Sequence, residues 1–182
     1  MKNATNLVVV LAAIVVPVQA GMINGTFDGN STLTPTSTPG IFTQHFSGDG
    51  DDTLFGSFTA SSTSTIDFSQ PPNIVVTDSM LRETFGDGTL IGAGTGSGTG
   101  NGQGMATFTF EFLVTEGTGI FKGDKGNVTV TGTIVQTSPT TESVTASYTG
   151  SLTTVPEPST LILLAAGLAA LRLYCSRGEK FR

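Results

Sequence analysis

Between residues 107 and 152 the side chains alternate so regularly that few folds are open to the chain. Phe108, Phe110, Phe112 and Val114 fall on one parity, against Thr107, Thr109, Glu111 and Leu113 on the other. Val128, Val130, Gly132 and Ile134 alternate with threonines, and Val144, Ala146, Tyr148, Gly150 and Leu152 alternate with Thr and Ser. Successive residues of a strand point to opposite faces, so each run is a strand with one apolar face and one hydroxyl-bearing face. Further strands are expected at Leu54 to Ser62, Thr63 to Phe68, Ile74 to Leu81 and Thr89 to Thr95. Pro71, Pro72 and Pro139 fall between runs, where a missing backbone donor costs no sheet hydrogen bond. No stretch between the two ends shows a helical period. The expectation is an all-β domain of about eight strands, an antiparallel β-barrel or a sandwich.

Glycine occupies every second position from 92 to 104. Such a run suits either a bent strand packed closely against its neighbour or a flexible loop, and the sequence leaves both open. Residues 21–44, rich in Thr, Pro, Ser and Gly, read as an extended leader or an edge strand, with the barrel-like domain over 45–154.

The run Phe112-Leu-Val-Thr-Glu-Gly-Thr-Gly-Ile-Phe121-Lys-Gly-Asp-Lys-Gly126 resembles a glycine-rich hairpin of secreted β-barrel proteins, found also in dirigent proteins and allene oxide cyclases. The resemblance implies an eight-stranded antiparallel barrel over roughly residues 54–152. The residues alone say that glycines serve the turn and that Phe121 anchors the loop.

Both ends carry targeting signals. Lys2, the apolar run Leu7 to Val16, Pro17 and the small residues before Gly21 form a signal peptide over residues 1–20, with signal peptidase expected to cut between Ala20 and Gly21. Residues 155–182 hold Pro156, Glu157 and Pro158, an apolar stretch over 159–175 and a basic end that includes Arg172. That stretch sits at the lower limit for a single transmembrane helix, which takes about 17–25 residues. The basic end places the C-terminus in the cytoplasm. A Pro-Glu-Pro before a short Leu/Ala/Gly helix and a basic end resembles the PEP-CTERM sorting signal of Gram-negative bacteria. The resemblance implies recognition and processing by a membrane-embedded exosortase, transient anchoring in the inner membrane, then a cell-surface or extracellular location in a producer of biofilm or exopolysaccharide.

Of the eight basic residues only Arg82, Lys122 and Lys125 lie between the terminal segments. So few cations do not neutralise a phosphate backbone, and nucleic acid is excluded as a partner. The single Cys175 leaves the domain without a disulfide, although export would permit one. His45 is the only imidazole and has no ligand or nucleophile spaced to work with it. No enzyme activity and no cofactor are expected.

Two weaker candidates remain. Ser47 to Phe55 resembles one unit of a calcium-binding repeat through Asp49, Asp51 and Asp52, but a lone unit has no neighbour to share an ion with and reads more simply as an acidic turn. Arg82 and Glu83 are adjacent, so one of them faces inward in a strand. A dirigent-like small-molecule pocket would use Arg82 with Phe108, Phe110 and Phe112. The leading expectation is an exported, non-catalytic surface protein associated with polysaccharide matrix.

Overall fold

In the computed structural model, residues 20–153 are described. They form eight strands: β1 (Ala20–Pro35), β2 (Ile41–Asp52), β3 (Gly56–Gln70), β4 (Asn73–Phe85), β5 (Gly88–Gly100), β6 (Met105–Gly119), β7 (Lys125–Ser138) and β8 (Thr141–Thr153). Each pairs antiparallel with the next, and β1 closes onto β8. Closure removes both sheet edges and excludes the sandwich.

The alternation decides which way every strand faces. Phe108, Phe110, Phe112 and Val114 of β6, Val128 and Val130 of β7, and Val144, Ala146, Tyr148 and Leu152 of β8 are all buried in the lumen. Their threonine neighbours face solvent. This is the inverse of an outer-membrane barrel, whose apolar side chains face lipid and whose lumen is polar. Eight strands enclose a space that side chains can fill, and here phenylalanines largely fill it.

Three expectations are corrected. Residues 21–44 are not a leader, because Ala20–Pro35 is a long strand that pairs on both sides and supplies Ile23, Phe27 and Leu33 to the core. The barrel therefore begins at about residue 20 rather than 45. The two expected strands over 54–68 are one strand, β3, because Ser61 to Ser64 continue the ladder with β2 without a break.

The glycine run resolves into two parts. Positions 92–100 lie in strand β5, with the glycines directed inward and Ala93, Thr95, Ser97 and Thr99 outward. Three of the inner glycines stand opposite aromatics of β6: Gly94 against Phe112, Gly96 against Phe110, Gly98 against Phe108. A Cβ on Gly96 would lie 2.7 Å from the Thr109 carbonyl oxygen and 2.9 Å from the Phe110 ring, so the missing side chain makes room for the phenyl. Residues 101–104 form the following turn, where Gly102 and Gly104 take positive φ.

The two ends of the barrel differ. Turns 36–40, 71–72, 101–104 and 139–140 gather at one end. Turns 53–55, 86–87 and 120–124, together with Ala20 and Thr153, gather at the other. Phe121 reaches inward from turn 120–124, is 1 % exposed, and packs against Phe55 and Phe85 with centroids 4.8 and 5.0 Å away. The anchoring role read from the hairpin sequence is thus the observed one, and it plugs the end at which the chain leaves the barrel.

Candidate functional site

The opposite end is open. A cup of about 700 Å³ lies between the four turns there, with Leu33, Phe42, Phe68, Ile74, Met105 and Ile134 among its apolar walls. Phe42 and Phe68 meet edge to face at 5.6 Å. Asn101 shapes the rim, since its side-chain oxygen accepts the backbone N–H groups of Gln103 and Met105 at 2.8 and 3.1 Å.

Among the described residues one charged side chain lines this cup, Glu142 at the start of β8. Register places it beside Ser31, and its Oε2 accepts the Ser31 hydroxyl at 2.6 Å and the Gln44 amide at 2.9 Å. Gln44 also donates to Ser31 Oγ at 3.2 Å, which closes a three-membered network. All three residues are buried. Each occupies the inward parity of its strand, in step with Phe27 and Leu33, with Phe46, and with Val144. A polar residue on the apolar parity was the sequence signal for this cluster, and the sequence reading passed over it.

A second polar group sits near the plugged end. Asp52 accepts the Tyr148 hydroxyl at 2.6 Å and the backbone N–H groups of Leu54 and Phe55 at 2.7 and 3.0 Å. Burial first, and then the hydrogen bond to Asp52, push the Tyr148 pKa far above the ordinary tyrosine value. Glu83 points into the same region, is 3 % exposed, and its Oε1 has no hydrogen-bond partner among the described residues. Burial, reinforced by the Asp52 charge, raises its pKa to about 7.

The candidates read from sequence that lie within the described residues fall in different parts of the barrel. Asp49 and Asp51 are exposed while Asp52 faces the lumen, so the three carboxylates do not converge on one ion. Asp51 instead accepts the Ser57 hydroxyl at 2.6 Å. Among the described residues no group of three or more His, Cys, Asp or Glu is placed to hold a metal. Arg82 is exposed on the outer wall and Glu83 takes the inward position, which removes Arg82 from any lumen pocket. Phe108, Phe110 and Phe112 border interior voids of only about 40 and 30 Å³, space on the scale of a single water, so they are core rather than a ligand pocket. His45 lies on the outer wall, its Nδ1 3.2 Å from Thr63 Oγ1. Ala20 and Gly21 open strand β1. The remainder of the signal peptide, Pro156, Glu157, Pro158, Arg172 and the apolar stretch over 159–175 lie outside the described residues.

The outer wall is itself ordered. Register aligns Ser97, Thr109, Thr131, Ser147 and Thr26 across five strands, with a parallel row on either side built mostly from threonine. Neighbouring strands lie about 4.8 Å apart, so the hydroxyls form a grid at nearly constant spacing.

Fold and site together define a closed, disulfide-free meander barrel with a hydroxyl-bearing exterior, one plugged end and one open end. The family model of the PEP-CTERM protein-sorting motif matches residues 154–177, beginning directly after the last strand ends at Thr153. The chain is a barrel protein bearing a PEP-CTERM sorting tail, which implies secretion, sorting through a membrane-anchored C-terminal region, and an exosortase as processing partner. No curated protein and no solved structure matches the chain, so the likeness to dirigent proteins stands on the hairpin sequence alone.

Proposed function

We propose that this is a non-catalytic surface protein, exported after signal peptidase cuts between Ala20 and Gly21, held transiently in the inner membrane through residues 159–175, then released by an exosortase to a polysaccharide matrix. The observation that carries the reading is the sorting motif at residues 154–177, joined without a spacer domain to the last barrel strand. Two features support it. The exterior offers rows of Thr and Ser hydroxyls, which exchange hydrogen bonds with sugar hydroxyls as both donors and acceptors. The chain leaves the barrel at Thr153, at the end plugged by Phe121, so an anchored precursor turns that end toward the membrane and the open cup away from it.

The test compares the intact mass of the exported protein with that of a Pro156→Ala, Glu157→Ala, Pro158→Ala variant. The expected wild-type product lacks residues 1–20 and the apolar stretch, while the variant keeps the stretch and stays with the membrane fraction. A wild-type product that retains residues 159–182 overturns the processing step. Deletion of the protein with no change in matrix composition or cell adhesion overturns the matrix role.

A further inference from the structure

We infer that the open end of the barrel is a binding site for an amphiphilic amine, a ligand with an apolar body and a protonated, hydrogen-bond-donating head. The inference is independent of the sorting reading, because it concerns the barrel alone.

The cup has the volume of a ligand site. At about 700 Å³ it lies within the span of about 300–1,000 Å³ that small-molecule pockets occupy, whereas the voids beneath it in the lumen measure about 40 and 30 Å³. A ligand therefore rests on the floor of the cup and does not thread the barrel. Apolar side chains outnumber Asn73, Asn101 and Gln136 on the walls, so the body of the ligand is apolar.

The floor fixes the head. Glu142 is 6 % exposed, and both of its hydrogen bonds fall on one oxygen, Oε2. Its Oε1 makes none with the described residues, although the side chain lines the cup. Ser31 and Gln44 hold the carboxyl group in place from the side away from the cup, so it is positioned for a partner before any ligand arrives. A buried carboxylate that has spent its local donors on one oxygen offers the other as an acceptor. Among the described residues no Lys, Arg or His lines the cup to neutralise it. An ammonium head supplies the missing charge and donor together, while a carboxylate head meets repulsion and an alcohol supplies a donor without charge.

The experiment uses full-length protein in nanodiscs of zwitterionic lipid, with empty nanodiscs as blank, and titrates three probes of one skeleton by calorimetry: 4-phenylbutylamine, 4-phenylbutan-1-ol and 4-phenylbutanoate. The amine is expected to bind about tenfold or more tighter than the alcohol, the ratio a charge-assisted hydrogen bond gives, with the carboxylate weakest. Glu142→Gln is expected to erase the preference for amine over alcohol. Ala106 lines the cup from β6, two strands away from Glu142 on β8, so Ala106→Phe is expected to block all three probes without changing the carboxyl group. That variant keeps the test decisive if Glu142→Gln fails to fold. Absence of amine binding, equal or tighter binding of the alcohol or carboxylate, or undiminished amine binding in Ala106→Phe would overturn the inference.

Discussion

Glu83 makes the stability of the barrel fall as the pH rises, by an amount that follows from its surroundings. Its carboxyl lies in the lumen with an ordinary value of 4.5 raised to about 7, first by burial and then by the Asp52 charge. Below pH 4.5 both folded and unfolded chains hold this proton, and the group contributes nothing to the pH dependence. Between 4.5 and about 7 the folded chain keeps the proton while the unfolded chain releases it, so raising the pH favours unfolding. Above about 7 both states are ionised and the loss is complete. At about 1.4 kcal/mol per pH unit, the gap between the two values corresponds to a destabilisation of about 3 kcal/mol by pH 8.

Glu83→Gln retains the shape and removes the charge. The variant is expected to be more stable than wild type by about 3 kcal/mol more at pH 8 than at pH 4.5, or about 10 °C in Tm for a domain of this size. The assay is urea unfolding of the full chain and the variant at pH 4.5, 6 and 8, followed by far-ultraviolet circular dichroism. Carboxylates that do not interact with Glu83 titrate alike in both proteins and cancel in the difference. Any fixed cost of burying the glutamine amide is equal at every pH, so the pH dependence of the difference isolates the charge. A difference that stays constant from pH 4.5 to 8 would refute the reasoning.

Three further outcomes are expected from the same unfolding measurement. Tyr148→Phe keeps the ring and removes the hydroxyl bonded to Asp52 at 2.6 Å, and is expected to cost about 1.5–3 kcal/mol, the range for a hydrogen bond to a charged group. Phe121→Ala empties the plug between Phe55 and Phe85 and is expected to cost about 3–5 kcal/mol. Gly96→Val drives a side chain against Phe110 and is expected to cost about 1–3 kcal/mol, while Thr95→Val on the outer wall stays within about 0.5 kcal/mol of wild type.

Where one face of a strand was apolar and the other carried threonine, the pattern specified the strand and its inward face together. This is why β6, β7 and β8 were legible almost residue by residue. The pattern weakened where glycine or serine took the inward positions. In β1 the inward residues alternate Phe27, Gly29, Ser31, Leu33, and a strand so weakly marked reads as a leader until its pairing with both β2 and β8 is seen. In β5 the inward face has no side chains from Gly92 onward. Its apolar content belongs to Phe108, Phe110 and Phe112 across the ladder, a relation visible only once the register is known. The candidate sites failed for a related reason. Arg82 was chosen over Glu83 for its chemistry, yet the parity set by Leu81 and Phe85 already assigned the inward place to Glu83.

The inward cluster around Glu142 and the one formed by Asp52 and Glu83 occupy opposite ends of the barrel and face opposite circumstances. Asp52 and Glu83 lie at the end stoppered by Phe121, where Asp52 and Tyr148 border a recess of about 480 Å³ that Glu83 does not line, and the cost of Glu83 is met by the surrounding core. Glu142 lies at the end without a stopper, where its carboxyl group is held by Ser31 and Gln44 and borders the cup. The same device, a carboxylate on the apolar parity, is therefore a stability liability at one end and a recognition group at the other. What separates Glu83 from Glu142 is access to a cavity, and access follows from the turns: turn 120–124 sends a phenylalanine inward, while turn 101–104 is built from glycine, asparagine and glutamine. Because Thr153 and the sorting tail leave from the stoppered end, the end left open is the one an anchored chain presents outward.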